Sequence, residues 1–176
     1  MLRFINQYID VPIMSLRSGR RLSSILEPII DPNKLTITGF YAEDRASGLD
    51  KILLVEDIRE FGELGIIVDS EEDLVDSSDL VRLETVLNMN YEIIGKKLVS
   101  QSGKKLGYVE DYAIDDLTYK VEKIYGRPTA LKTLSTNDYV IGRRQIASVS
   151  PDEITVKDAT SKSGSRSRRP SLNPIR

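Results

Sequence analysis

The 176-residue chain contains no cysteine and no histidine. The first absence removes thiolate nucleophiles, disulfides and cysteine metal cages, and the second removes the usual imidazole base and zinc ligand. Together they exclude Ser-His-Asp and Cys-His hydrolases and the common zinc and blue-copper sites. Long apolar runs are lacking too. Leu64 to Val68 is among the longest, far below the ~20 residues a membrane helix needs. Residues 1–20, interrupted by Asp10, show no signal-peptide core. The expectation is a soluble, cytoplasmic protein stabilised by packed cores, for which an apolar fraction of 40% is sufficient.

Charge is unevenly distributed. Residues 161–176 hold Lys162, Arg166, Arg168, Arg169 and Arg176 without an acid, leaving 20 of the 25 basic residues against 27 acidic ones in residues 1–160. An acidic body lacks the Lys/Arg stripe that neutralises phosphates, so any RNA contact is expected from the tail.

What is present is a repeat. Ser18-Gly19-Arg20-Arg21-Leu22 returns as Ser102-Gly103-Lys104-Lys105-Leu106, and Gly103 stands 84 positions after Gly19. The same displacement carries Ile30-Asp31 onto Ile114-Asp115, Ile37 onto Val121 and Tyr41 onto Tyr125. Two copies at this spacing argue for tandem small domains, since solenoid units recur at about 20–50 residues in three or more copies. Leu106, Tyr108, Glu110, Tyr112 and Ile114 alternate as one strand face, and Tyr119, Val121, Lys123 and Tyr125 as another. Between them Asp115-Asp116-Leu117-Thr118 has turn chemistry, matched by Asp31-Pro32-Asn33-Lys34, where Pro presets φ and Asn tolerates a left-handed conformation. A further pair of short strands repeats as Ile58, Phe61, Ile66, Val68 and Ile146, Val149, Ile154, Val156, displaced by 88 (146 minus 58).

Leu80, Leu83 and Leu87, with Ser or Asp before them and Asn after, predict an amphipathic linker helix over 77–90. The expected organisation is a first unit at 8–76, the helix, a second unit at 91–157 and a disordered basic tail at 158–176.

The run Gly95-Lys96-Lys97-Leu98-Val99 through Gly103-Lys104-Lys105-Leu106-Gly107-Tyr108-Val109-Glu110-Asp111 to Ile114-Asp115 resembles the PRC-barrel domain family. The first copy departs from that pattern: Ser23 replaces the Leu-Gly glycine, Leu26-Glu27 replaces Glu-Asp, and Asp44 to Asp50 lengthens a loop. The resemblance implies a mostly β protein of two tandem small antiparallel PRC-type β-barrels joined by the helix. Barrels of this family occur in a ribosome maturation factor and in the cytoplasmic part of the photosynthetic reaction-centre H subunit. It therefore implies a non-catalytic adaptor or scaffold docking on a protein assembly. The alternatives are a ribosome-associated RNA-processing or maturation factor and a peripheral subunit of a photosynthetic or other membrane complex.

Each candidate site also has a structural reading. Asp69, Glu71, Glu72, Asp73, Asp76 and Asp79 offer hard oxygen ligands but lack the calcium-loop spacing, and read as a solvated turn and an acidic helix start. Glu110, Asp111, Asp115 and Asp116 read as turn and rim residues rather than an acid-base pair, with Asp111 accepting backbone hydrogen bonds. Gly95-Lys96-Lys97 and Gly103-Lys104-Lys105 lack the phosphate-loop spacing. Tyr108, Tyr112, Tyr119 and Tyr125 alternate as core or rim residues, and exposed members can anchor a protein. No catalytic residue, cofactor or metal is expected. The partner-binding candidates are Tyr108 and Tyr112, with Arg166, Arg168 and Arg169 in the tail. The expected partners are a protein, with ribosome or RNA contact through the tail, a membrane complex at its periphery, and a second copy as further options.

Overall fold

The computed structural model describes residues 1–43, 50–128 and 139–158. Its strands, in chain order, are β1 (Leu2–Phe4), β2 (Pro12–Ser15), β3 (Arg21–Asp31), β4 (Thr36–Ala42), β5 (Lys51–Leu54), β6 (Glu60–Gly62), β7 (Gly65–Val68), β8 (Leu74–Val75), β9 (Lys97–Ser100), β10 (Lys105–Asp115), β11 (Val121–Pro128), β12 (Tyr139–Gly142), β13 (Ile146–Val149) and β14 (Glu153–Val156). The fold is mostly β, as the period-two patterns require.

The strands form two sheets. One runs β6-β7-β2-β3-β4-β5-β8, and the other β13-β14-β9-β10-β11-β12, with β1 added beside β10. Apart from β1 and β8 the two orders correspond strand for strand. Register irregularities fall between Ile25/Glu27 and Ile29/Ile30 in β3, and between Val109/Asp111 and Ala113/Ile114 in β10. These too lie 84 positions apart, so the repeat extends to the places where the backbone bulges.

Two expectations need correction. The sheets are mixed rather than antiparallel, because β2 pairs parallel with β7 and β9 parallel with β14. Among the described residues the hydrogen bonding also leaves both sheets open: β6 and β8 terminate one, β12 and β13 the other. The linker differs as well. Ser77–Asp79 and Val81–Leu83 are separate 3-10 turns, and only α1 (Glu84–Met89) is α-helical, ending at Asn90 with φ 40°. Leu80 breaks the helix at ψ 54°. Leu83, Val86 and Leu87 are half-buried, and α1 packs on β3. The short apolar stripe makes such a segment depend on its sheet, since isolated helices below about 12–15 residues are marginal.

The hairpin turns join the sheets. Asp31 Oδ1 accepts from the backbone N–H of Asn33 at 2.9 Å and of Lys34 at 3.3 Å, and Asp115 Oδ1 does the same for Leu117 at 3.2 Å and Thr118 at 2.9 Å. Those turn and Thr118 hydrogen bonds hold the Asp115 carboxyl below its ordinary range. The left-handed residues are not Asn33 but Leu35 (φ 46°) and its counterpart Tyr119 (φ 54°). Such a conformation costs about 1–3 kcal/mol for a non-glycine residue and persists where its surroundings impose it. Here each strained residue's carbonyl serves the other sheet: Ile37 N–H donates to Tyr119 O at 2.8 Å and Val121 N–H donates to Leu35 O at 3.0 Å. The bridge pairs Thr36 with Lys120, which are themselves repeat counterparts. The pairing is reciprocal, like an isologous contact between two copies on one chain.

Arg143 closes this seam. Its guanidinium donates to Leu35 O at 2.8 Å, to Val121 O at 3.0 Å and to Lys34 O. Beneath it, Phe40 stacks on Tyr8 at 5.3 Å and meets Tyr119 edge-on at 6.4 Å. Most buried apolar side chains of both sheets form one cluster, from Ile13 and Phe40 through Tyr119 to Ile154. At the N-terminal end β1 crosses to the second sheet, with Phe4 opposite Ala113 and its ring 5.0 Å from that of Tyr125.

Candidate functional site

The bulges that repeat in β3 and β10 also shape the surface above them. A bulge turns successive side chains out of strict alternation, so Glu27 and Asp111, which are repeat counterparts, reach the same cleft. The cleft has a volume of about 510 Å³ and lies between β3, β10, the turn Ile5–Gln7 and the segment 91–94. That is within the size range of ligand-binding pockets.

Its floor is apolar. Ile5, Ile30, Ile93 and Tyr112 are buried there, while Ile94 on the rim is 50% exposed. Glu27, Glu92 and Glu110 are exposed around the rim and Asp111 is half-buried. Glu110 is held by Arg127 in an ion pair. Asp111 Oδ1 accepts the Tyr112 N–H at 2.7 Å. Partial burial nevertheless raises its carboxyl above the ordinary range, partly offset by that bond. A cation brought into the cleft would favour its ionised form.

Tyr91 also lines the cleft. The residue is 9% exposed, and its buried hydroxyl has no hydrogen-bond partner among the described residues. Burial pushes its pKa up to about 12, so it is a neutral donor at physiological pH. Lys96 stands 4.3 Å from the ring centroid on a cation–π contact. Buried hydroxyls are normally paired, which marks this one as a group with unused capacity.

The candidates from sequence are scattered. Tyr112 is 2% exposed and its hydroxyl pKa is raised by burial. It packs into the core beneath the cleft and is not an exposed anchor. Tyr108 is 47% exposed on β10. Arg166, Arg168 and Arg169, the tail at 159–176 and most of the loop at 44–50 lie outside the described residues. Tyr119 is buried at the seam and Tyr125 lies against Phe4.

Four carboxylates of the acidic run are engaged within the fold. Arg59 holds Asp69 through two nitrogens, keeping its carboxyl below the ordinary range. Asp73 accepts the Ser70 N–H at 2.9 Å, Glu72 meets Arg17 at 3.3 Å and Asp76 meets Lys51 at 2.8 Å. Among the described residues no cluster of three or more carboxylates is placed to hold a metal. Gly95 and Gly103 serve turns at φ 82° and 81°, and Gly103 leads into a strand. Asp116 pairs with Arg3 at 3.3 Å across from β1.

The sequence reading missed Glu27, Tyr91, Glu92 and Ile94. One signal was there: Glu27 and Asp111 occupy the same repeat position as carboxylates. Tyr91 and Ile94 carried none, because their roles arise only when the second sheet folds over the turn at Ile5–Gln7. Among the described residues no helix is long and apolar enough to cross a membrane. No protein-family model matches the chain, and no curated protein matches it.

Proposed function

We propose that this protein is a non-catalytic adaptor built from two PRC-type barrel units, and that it docks on a protein assembly through the cleft between its sheets. The repeated strand order, the bulges at matching positions and the glycine of the Leu106-Gly107 pair support the family reading. One observation carries the function: an apolar cleft of about 510 Å³ rimmed by Glu27, Glu92, Glu110 and Asp111 and lined by Ile5, Ile93, Ile94 and Tyr91. Such a site suits a protein segment that offers an aliphatic or aromatic anchor flanked by lysine or arginine. The anchor displaces water from the Ile5, Ile93 and Ile94 surface, and the basic flanks set orientation and on-rate more than affinity.

The test is capture from native cells in moderate salt, with nuclease-treated controls, comparing the full chain, a chain ending at Val156 and the variant Glu27→Lys/Glu92→Lys. Both carboxylates are exposed, so the variant is expected to keep its melting temperature. A discrete protein complex should be recovered by the first two and reduced about tenfold or more by the charge reversal. Recovery of ribosomal proteins that disappears with the tail, and is indifferent to the cleft variant, would replace this reading with RNA contact through the basic end.

A further inference from the structure

The repeat supplies an internal control for each sheet, and at one edge the two copies differ. In the first sheet β5 is covered on its outer side by β8, with Ile52 opposite Val75 and Leu53 opposite Leu74. Ile52 and Leu53 are then fully buried. Its counterpart β12 pairs inward in the same register: Val140 opposite Tyr125 and Ile141 opposite Ile124 match Ile52 opposite Tyr41 and Leu53 opposite Phe40. Its outer edge ends the sheet, with no strand beside it among the described residues. Val140 is 55% exposed where Ile52 is 0%.

At the place where the repeat would put that cover, the sequence differs. The displacement of 88 that relates β5 to β12 (140 minus 52) takes Leu74-Val75 to Lys162-Ser163, a polar pair in place of an aliphatic one.

Charge indicates what the edge would accept. In β8 the aliphatic pair follows Glu71-Glu72-Asp73, and the antiparallel direction carries these acids toward the residues after Leu53. There the first copy has Val55-Glu56-Asp57, which is itself acidic, whereas the second has Arg143-Arg144-Gln145. Arg143 is committed to the seam carbonyls, but Arg144 is exposed and makes no ion pair among the described residues. A segment ordered as acids and then adjacent aliphatics would therefore carry its acids toward Arg144 just after β12, where the first copy sets Glu56 and Asp57 after β5.

We propose that the outer edge of β12 is a strand-addition site for an extended segment of another protein, ordered acidic then aliphatic, that completes the second sheet as β8 completes the first. Backbone bonds to the outer edge, unpaired among the described residues, provide generic affinity. Burial of Val140 and attraction to Arg144 provide selectivity. The site is separate from the cleft and does not depend on what the cleft binds.

The probe is a blocked synthetic peptide copying residues 70–76, Ser-Glu-Glu-Asp-Leu-Val-Asp, titrated into the isotope-labelled full chain and followed by amide NMR. Saturable shifts are expected at Val140, Ile141 and Arg144, with slowed amide exchange on the outer side of β12. Val140→Asp should weaken the binding about tenfold or more, the equivalent of about 1.4 kcal/mol, while leaving the remaining spectrum in place. A peptide with serines for the Leu-Val pair should give no shift. Glu27→Lys/Glu92→Lys should leave the titration unchanged, which keeps this result separate from the fate of the cleft. Absence of shifts at β12 would overturn the proposal. So would shifts confined to Ile52–Leu54, which would mean exchange with β8, or concentration-dependent β12 shifts without peptide, which would make a second copy the occupant.

Discussion

Gly107→Ala is expected to lower stability by about 3 kcal/mol or more and to abolish the protection of β10 and β11 against hydrogen exchange. A Cβ at this position would lie 2.0 Å from the Arg127 carbonyl oxygen and 2.8 Å from its carbon, and the backbone is held at φ +155°. The obstacle is backbone on the neighbouring strand, which cannot rotate aside as a side chain would. Relief requires β11 to move away from β10, and with it the pairs Tyr108–Arg127 and Val109–Gly126. Gly103→Ala provides the control, because at φ +81° nothing lies within 4 Å of the added methyl. It should cost only the left-handed backbone penalty, on the order of 1 kcal/mol. Thermal melts of the two variants compare them directly; equal losses would show that the contact with Arg127 is not what fixes the glycine.

Phe40→Ala is expected to cost about 3–5 kcal/mol, the range for emptying a buried aromatic site. Phe40 belongs to β4, yet it touches Tyr8 from the N-terminal segment and Tyr119 from the tip of the second hairpin. The cavity therefore opens against both sheets. Its more informative consequence is where stability is lost. If one core joins the sheets, exchange protection should fall together in β3–β4 and in β10–β11, within a single unfolding transition. If they were independent units, the loss would be confined to the first sheet and a second transition would remain unshifted. The reciprocal hydrogen bonds at Leu35 and Tyr119, and the reach of Arg143 across the seam, support the former outcome.

Strand positions and turns were the parts of this fold most legible in the sequence. Period-two alternation from Leu106 to Ile114 located β10, and the Asp31 and Asp115 turns announced the hairpins, because both signals are local. The repeat predicted that the sheets would match, and it extends to their bulges. Other features depended on contacts distant in sequence. Nothing in Leu2–Phe4 says that it pairs with β10, and nothing local says that Leu35 and Tyr119 adopt left-handed backbone to serve each other's sheet. The linker was misread because Leu80, Leu83 and Leu87 keep helical spacing while Leu80 itself leaves the helical region. Of the site, the sequence singles out Glu110, Asp111 and Tyr112, the two carboxylates as rim residues and the tyrosine as an anchor. Tyr112 proved to be core because alternation identifies a face without saying which face is covered. The cleft itself required knowing how the two sheets meet.

The central claim, that the inter-sheet cleft is the docking surface, is tested most directly by a photo-crosslinking residue placed at Ile94 and, for comparison, at Leu64, which is exposed on the β6–β7 turn and does not line the cleft. Irradiated in native cells, position 94 is predicted to give one dominant protein adduct, lost when Glu27→Lys/Glu92→Lys is combined with it, while position 64 gives none of that species. Adducts of equal yield from both positions, or a position-94 adduct indifferent to the charge reversal, would contradict the assignment of the cleft.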